Sequence, residues 1–323
     1  MTRSFALSVT VVISAFAVYS FTAHGMDGNE GKKTPMRAEP IPNLKPALPT
    51  ARIHNMLVSR HAPMQMYAAT PSGLYGSADA GATWKRLSIA GDNEEVFAVA
   101  AHPIESSTVF GGRRDGVWLS HDGGESWMPL PYPAGKPVTP LAIAPAPNQP
   151  NTIYIATARD GVYRSVDGGY RWAAINQGLP ESRAGGRVEE IRTLVVHPLD
   201  ANAAYVALPT DGVYLTTDAG KNWVPVNEGL PVSFLNGAYR PILEFDSSDP
   251  KRLYLVFGER IHSHLVRNRI YMASANTEKW IPVEAELPSN EPILALRVDG
   301  AQRTARLWGP SAVWQVPLTE HPK

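Results

Sequence analysis

The sequence predicts an all-β protein built as a ring of repeated four-stranded units. Three observations carry this. The phrase [Ser/Thr]-x-Asp-x-Gly-x-x-Trp occurs four times, as SADAGATW, SHDGGESW, SVDGGYRW and TTDAGKNW. Its aspartates, Asp79, Asp122, Asp167 and Asp218, are 43, 45 and 51 residues apart, a period that marks repeat architecture. Between them lie short apolar runs punctuated by Gly, Pro, Asn and Asp, the grammar of strands and tight turns. Four-stranded units of this length, closed on themselves, make a β-propeller.

The first 25 residues, MTRSFALSVTVVISAFAVYSFTAHG, read as an export segment. Arg3 precedes an apolar run from about Phe5 to Phe21, and Ala23-His24-Gly25 offers a small-x-small cleavage pattern. Cleavage after Gly25 gives a periplasmic or extracellular protein; an uncleaved segment gives an N-terminal anchor, which is the only membrane attachment expected. Residues 26–50 are polar and proline-rich and read as a linker or extended strap. The propeller is expected over 51–323.

Each repeat opens with an apolar strand, such as VFAVAAHP or IRTLVVHP, without clean alternation, as when both faces are covered. A second strand follows (STVFGG, TIYIAT, AAYVAL), then a third (GVWLS, GVYRS, GVYLT), then the Asp-bearing turn, then a fourth strand led by Trp. Opening strands begin near Ile53, Val96, Pro140, Ile191, Pro241 and Pro292, which gives six blades, or seven if residues 26–50 hold another. The last repeat stops after three strands, so closure calls for an outer strand from the N-terminal segment.

In the repeated phrase, Asp and Ser/Thr side chains can accept nearby backbone N–H groups, Gly supplies positive φ, and Trp locks the hairpin. Asp79, Asp122, Asp167 and Asp218, with Trp84, Trp127, Trp172 and Trp223, are therefore structural. The phrase resembles the Asp-box, or bacterial neuraminidase repeat. The longer stretch IYIATARDGVYRSVDGGYRWAAINQGLP resembles exported propellers of the sialidase-like and sortilin-like superfamily, the photosystem II stability/assembly factor family and xyloglucanase-type hydrolases. The resemblance covers about 51–318. It implies the fold; one fold hosts many activities.

Sialidases need an arginine triad with a Phe/Tyr-Arg-Ile-Pro motif early in the domain. Here Tyr239-Arg240-Pro241-Ile242 is scrambled and sits in the fifth repeat, so no triad member transfers. Xyloglucanase-type enzymes place paired carboxylates between two propellers, and these residues provide for one. Asp92, Glu94, Glu95, Glu189, Glu190 and Glu244 are the available acids, and no spacing singles out a pair. No catalytic residue is assigned. Lys+Arg and Asp+Glu both number 30, which argues against a nucleic-acid surface. There are no cysteines, no cofactor motif and no metal motif beyond His262-Ser263-His264, read as ordinary loop histidines. His102 and His197 occupy equivalent His-Pro turns and are structural.

Departures from the repeat point to function. Trp84 to Val96 and Trp127 to Thr139 each span 12 residues, but Trp172 to Ile191 spans 19 and Trp223 to Arg240 spans 17. The segment 258–270 is also expanded. All these connections share one face of a four-stranded blade ring. The expanded ones carry Arg183, Arg187, Tyr239, Arg240, Arg260, His262, His264 and Arg267, and the matching loops of blades two and three add Arg113, Arg114 and Arg159, an arginine-rich set with aromatics, as at binding hot spots. The expected activity is non-catalytic: a protein-interaction or assembly module at the cell envelope whose partner is a protein, such as a membrane complex. The alternative is a glycan-binding or glycoside-hydrolysing propeller.

Overall fold

The computed structural model describes residues 36–41, 50, 52–59, 62, 64–89, 94–181, 190–235, 238–262, 265–274 and 279–318. The chain divides into Met1–Thr34, which lies outside them, and Pro35–Lys323. The second unit is a six-bladed β-propeller of four-stranded antiparallel sheets. The inner strands are Asn55–Val58, Val96–Ala101, Pro140–Ala146, Thr193–His197, Tyr239–Phe245 and Ala295–Asp299. Each pairs with the next strand in sequence, and that strand with the third. The fourth strands are short: Lys85–Leu87, Met128–Pro129, Ala173–Ala174, Val224–Pro225 and Trp280–Pro282. In the first four blades the Trp stands directly before the strand.

The sixth blade takes its outer strand from the other end of the chain. Glu39–Pro40 pairs antiparallel with Val313–Pro317 through Glu39–Gln315 and Pro40–Trp314. Just before it, Met36–Arg37 runs parallel to Ala285–Glu286. The Ala38 N–H donates to the Glu286 carbonyl and the Ile41 N–H to the Val313 carbonyl, both at 2.8 Å. Ala38 is buried, so the strap is part of the core as well as of the ladder.

The Asp-bearing turns lie between third and fourth strands, and each closes in the same way. Ser165 Oγ donates to Asp167 Oδ1 (2.8 Å) and accepts the Gly169 N–H (2.9 Å), while Asp167 Oδ1 accepts the Arg171 N–H (2.8 Å). Ser77/Asp79, Ser120/Asp122 and Thr216/Asp218 repeat this. These bonds favour the ionised carboxylate: the Thr83 hydroxyl and N–H, with Ser77, pull Asp79 from 3.8 down to about 2.

The same turns join blades. Gly124 has φ 100°, and a Cβ there would stand 2.7 Å from Leu87 Cδ1 of the preceding blade. Gly169 repeats this against Leu130 at 2.6 Å. Glycine is thus required twice over, for its backbone and for the neighbour's side chain. The Trp223 indole N–H reaches the Ile175 carbonyl of the preceding blade (2.7 Å) and the Trp280 indole reaches Val226 (2.8 Å). Both rings are 2% exposed and fill the spaces between blades.

A cationic channel mouth

The six inner strands enclose an axial cavity of about 760 Å³. They all run the same way, so one mouth gathers the residues that precede or begin them. His54, Phe97 and Arg192 stand directly before Asn55, Ala98 and Thr193, which oppose Ala69, Gly112 and Ala207 of the second strands. They therefore hold one repeat position. Arg240 comes to the same rim in the fifth blade, at the irregularity between Tyr239 and Ile242, with φ 51°.

The rim is wired across blades. His54 Nε2 and Glu95 Oε1 lie 2.8 Å apart, and the His54 ring stacks on Phe97 (5.2 Å between centroids). Burial holds the His54 pKa below 6.5 against the pull of Glu95, so the neutral ring donates Nε2–H to that carboxylate. Arg114 lies over the other side of this cluster, 5.7 Å from the Phe97 centroid and 3.3 Å from Glu95. Arg240 Nη2 donates to the His54 carbonyl from across the channel (3.3 Å). Burial lowers the Arg240 pKa, and nearby Arg192 lowers it further. Arg192 pairs with Glu190. Deeper in the channel, Arg297 pairs with Glu244 and donates to the Val58 carbonyl, linking blades five, six and one.

The structure sorts the predicted face into separate groups. Arg114, Tyr239 and Arg240 come together at the mouth. Arg113 is 4% exposed: it donates to the Ile89 carbonyl, pairs with Glu94 and Asp115, and lies over Trp118. Its role is internal. Arg159 is exposed in the blade-three turn. Arg260 and His262 lie on the long strand Arg252–His262 and Arg267 on Leu265–Ser274, a hairpin that extends blade five. Arg267 is exposed, and Asn268 anchors the hairpin by donating to the Pro288 and Glu291 carbonyls (2.7 and 2.9 Å). Arg183, Arg187 and His264 lie outside the described residues, as do Asp92 and Glu189. His102 Nδ1 accepts the Glu105 N–H (3.0 Å) and His197 Nδ1 the Leu199 N–H (3.2 Å), so both shape their turns.

Sequence reasoning missed His54, Phe97 and Arg192. The missed signal was their common repeat position: aligning the opening strands puts two cations or near-cations and an aromatic ring at one place in three blades. Among the described residues, no three His, Asp or Glu side chains converge as a metal set, and no helix is long and apolar enough to cross a membrane.

Comparison with known proteins supports a BNR-like propeller. A Sortilin-Vps10 family model, described as sortilin, neurotensin receptor 3, matches residues 160–291. The oligoxyloglucan-reducing end-specific xyloglucanase of Emericella nidulans is 32% identical over 178 residues, covering 50% of this chain and 21% of that protein. The chain thus spans about a fifth of this curated relative. An ancestral GH74 enzyme superposes with a TM-score of 0.61 at 19% identity, over 90% of this chain and 39% of that one. YCF48 from Cyanidioschyzon merolae superposes with a TM-score of 0.55 at 15% identity, over 85% of each chain. At these identities the two structural likenesses speak for the fold.

Proposed function

We propose that this protein is an exported, non-catalytic interaction module that receives a partner protein at the channel mouth. The observation that supports this reading is the electrostatic state of the mouth. Arg114, Arg192 and Arg240 converge there with Phe97 and Tyr239, a composition suited to gripping acidic groups on a partner. Four of the six candidate acids lie among the described residues, and these are tied to bases. Glu94 pairs with Arg113, Glu95 with His54 and Arg114, Glu190 with Arg192, and Glu244 with Arg297. Glycoside hydrolysis needs two carboxyl groups free to act on the two sides of the scissile bond, and these four are engaged in ion pairs. Export is supported by the N-terminal run MTRSFALSVTVVISAFAVYSFTAHG, and placement in the periplasm or outside the cell follows from it.

The second reading, a glycan-active propeller, draws on the 32% identity to a xyloglucanase. The two readings part in a reducing-end assay on xyloglucan oligosaccharides. No release above a boiled control is expected. Release that disappears in Glu95→Gln or Glu190→Gln would replace the first reading with the second.

A further inference from the structure

The axial cavity carries a charge imbalance that ring closure does not need. Among the described residues its lining holds three arginines, Arg192, Arg240 and Arg297, and one carboxylate, Glu244. Glu244 is taken by Arg297. Arg192 pairs with Glu190, which stands outside the lining. Arg240 has no carboxylate partner among the described residues. Its Nη2 donates to the His54 carbonyl (3.3 Å), and it shares a hydrogen bond with Tyr239. A guanidinium carries more N–H donors than these two contacts use.

Arg240 is also held where its chemistry resists. Its φ of 51° lies in the left-handed region that L-residues avoid. Burial and the like charge of Arg192 both act against its charged form. The next residues fix this arrangement: the Thr193 hydroxyl donates to the Pro241 carbonyl and joins blade four to blade five. A buried cation set beside a second cation is costly, and an anion placed between the two removes the cost.

Below the rim the wall turns apolar. Leu57, Ala144, Val195 and Glu244 oppose Tyr67, Tyr154, Tyr205 and Tyr254 of the second strands, so they hold one level in four blades. Leu57, Ala144 and Val195 are half-buried and line the cavity, with Ile242 two residues nearer the mouth than Glu244. The volume of about 760 Å³ is that of a small-molecule site.

We infer that the axial cavity binds a small amphiphilic monocarboxylate, with its carboxylate between Arg192 and Arg240 and its apolar body along Leu57, Val195 and Ile242. Two guanidiniums match one carboxylate in charge and in hydrogen-bond geometry. Arg297 is already paired, so the deeper wall offers no cation to a second anionic group. The site shares Arg192 and Arg240 with the proposed partner-binding mouth and does not depend on it.

Octanoate is the probe, titrated into the full chain by calorimetry beside acetate, which has the head without the body, and 1-octanol, which has the body without the head. One octanoate per chain should bind, about tenfold or more tighter than either control. Arg240→Gln and Arg192→Gln should each weaken octanoate about tenfold and leave octanol binding as in the wild type. Absence of octanoate binding, acetate or octanol binding as tightly as octanoate, or full octanoate affinity in Arg240→Gln would each overturn the inference. The comparison of three ligands on the wild type stands without any variant. No partner protein takes part, so failure here leaves the partner-binding reading to its own test.

Discussion

Ala219 holds a left-handed backbone, φ 64°, at the place where the blade-three turn has Gly168 at φ 76°. An L-residue in that region costs about 1–2 kcal/mol, and glycine's extra freedom in the unfolded chain returns part of this. Ala219→Gly should therefore stabilise the protein by about 0.5 kcal/mol, read as a small rise in melting temperature; a fall would show that the alanine methyl packs usefully. Gly169→Ala should do the reverse, because its Cβ meets Leu130, and a loss of about 2 kcal/mol is expected in denaturant titration. The turn carboxylates set the acid limit. Asp79 falls from 3.8 to about 2 on folding, so its ionised form adds stability that is present above about pH 4 and lost as pH falls through about 2. Asp122, Asp167 and Asp218 are lowered in the same direction. The wild type should lose melting temperature more steeply between about pH 4 and 2 than a variant with Asn at all four positions; parallel curves would contradict this assignment. These residues were legible in the sequence because a turn's chemistry is local and repeats. Arg113 was not, because its burial comes from Ile89, Glu94 and Trp118, which the fold brings to it.

At the scale of elements, the strap decides whether the ring is closed. Removing residues 26–41 exposes the edge of Val313–Pro317 and cancels the bonds from Ala38 and Ile41. A few backbone bonds at about 1 kcal/mol each put the loss near 3 kcal/mol, and the open edge invites association. Thermal denaturation and light scattering read both effects; an unchanged melting temperature would mean that the sixth blade holds with three strands. The missing outer strand could be inferred from sequence, since the final repeat stops early. The register could not: Glu39–Pro40 carries little apolar pattern, and its place is fixed by Ala38 and Ile41 packing on either side. The blade count was legible for the same reason as the turns. The extended hairpin 252–274 was visible only as excess length; its anchoring through Asn268 is a long-range contact that no local pattern signals.

At the scale of the molecule, six near-equivalent blades create an axis, and the axis creates the site. Residues that are separated by 40 or more positions in the chain, such as His54 and Glu95, meet there only because the ring closes. Loop lengths pointed to Tyr239 and Arg240, and the matching loop of blade two to Arg114; these three stand at the mouth. The mouth itself was hidden, because His54 follows an ordinary stretch and Arg192 stands just past the expanded connection, inside the apolar run IRTLVVHP. Arg114 and Arg192 are the informative pair for function: their side chains are 77% and 47% exposed, and exposed ion pairs contribute at most about 1 kcal/mol. The most direct test is co-purification of the tagged full-length protein from its own cell envelope, beside the Arg114→Ala/Arg192→Ala variant, with bound proteins identified by mass spectrometry. A stoichiometric partner held by the wild type and lost by the variant, with the melting temperatures of the two alike, is the predicted result. Equal recovery of the same partner by both proteins, or recovery of the wild type alone, would contradict a partner-binding mouth.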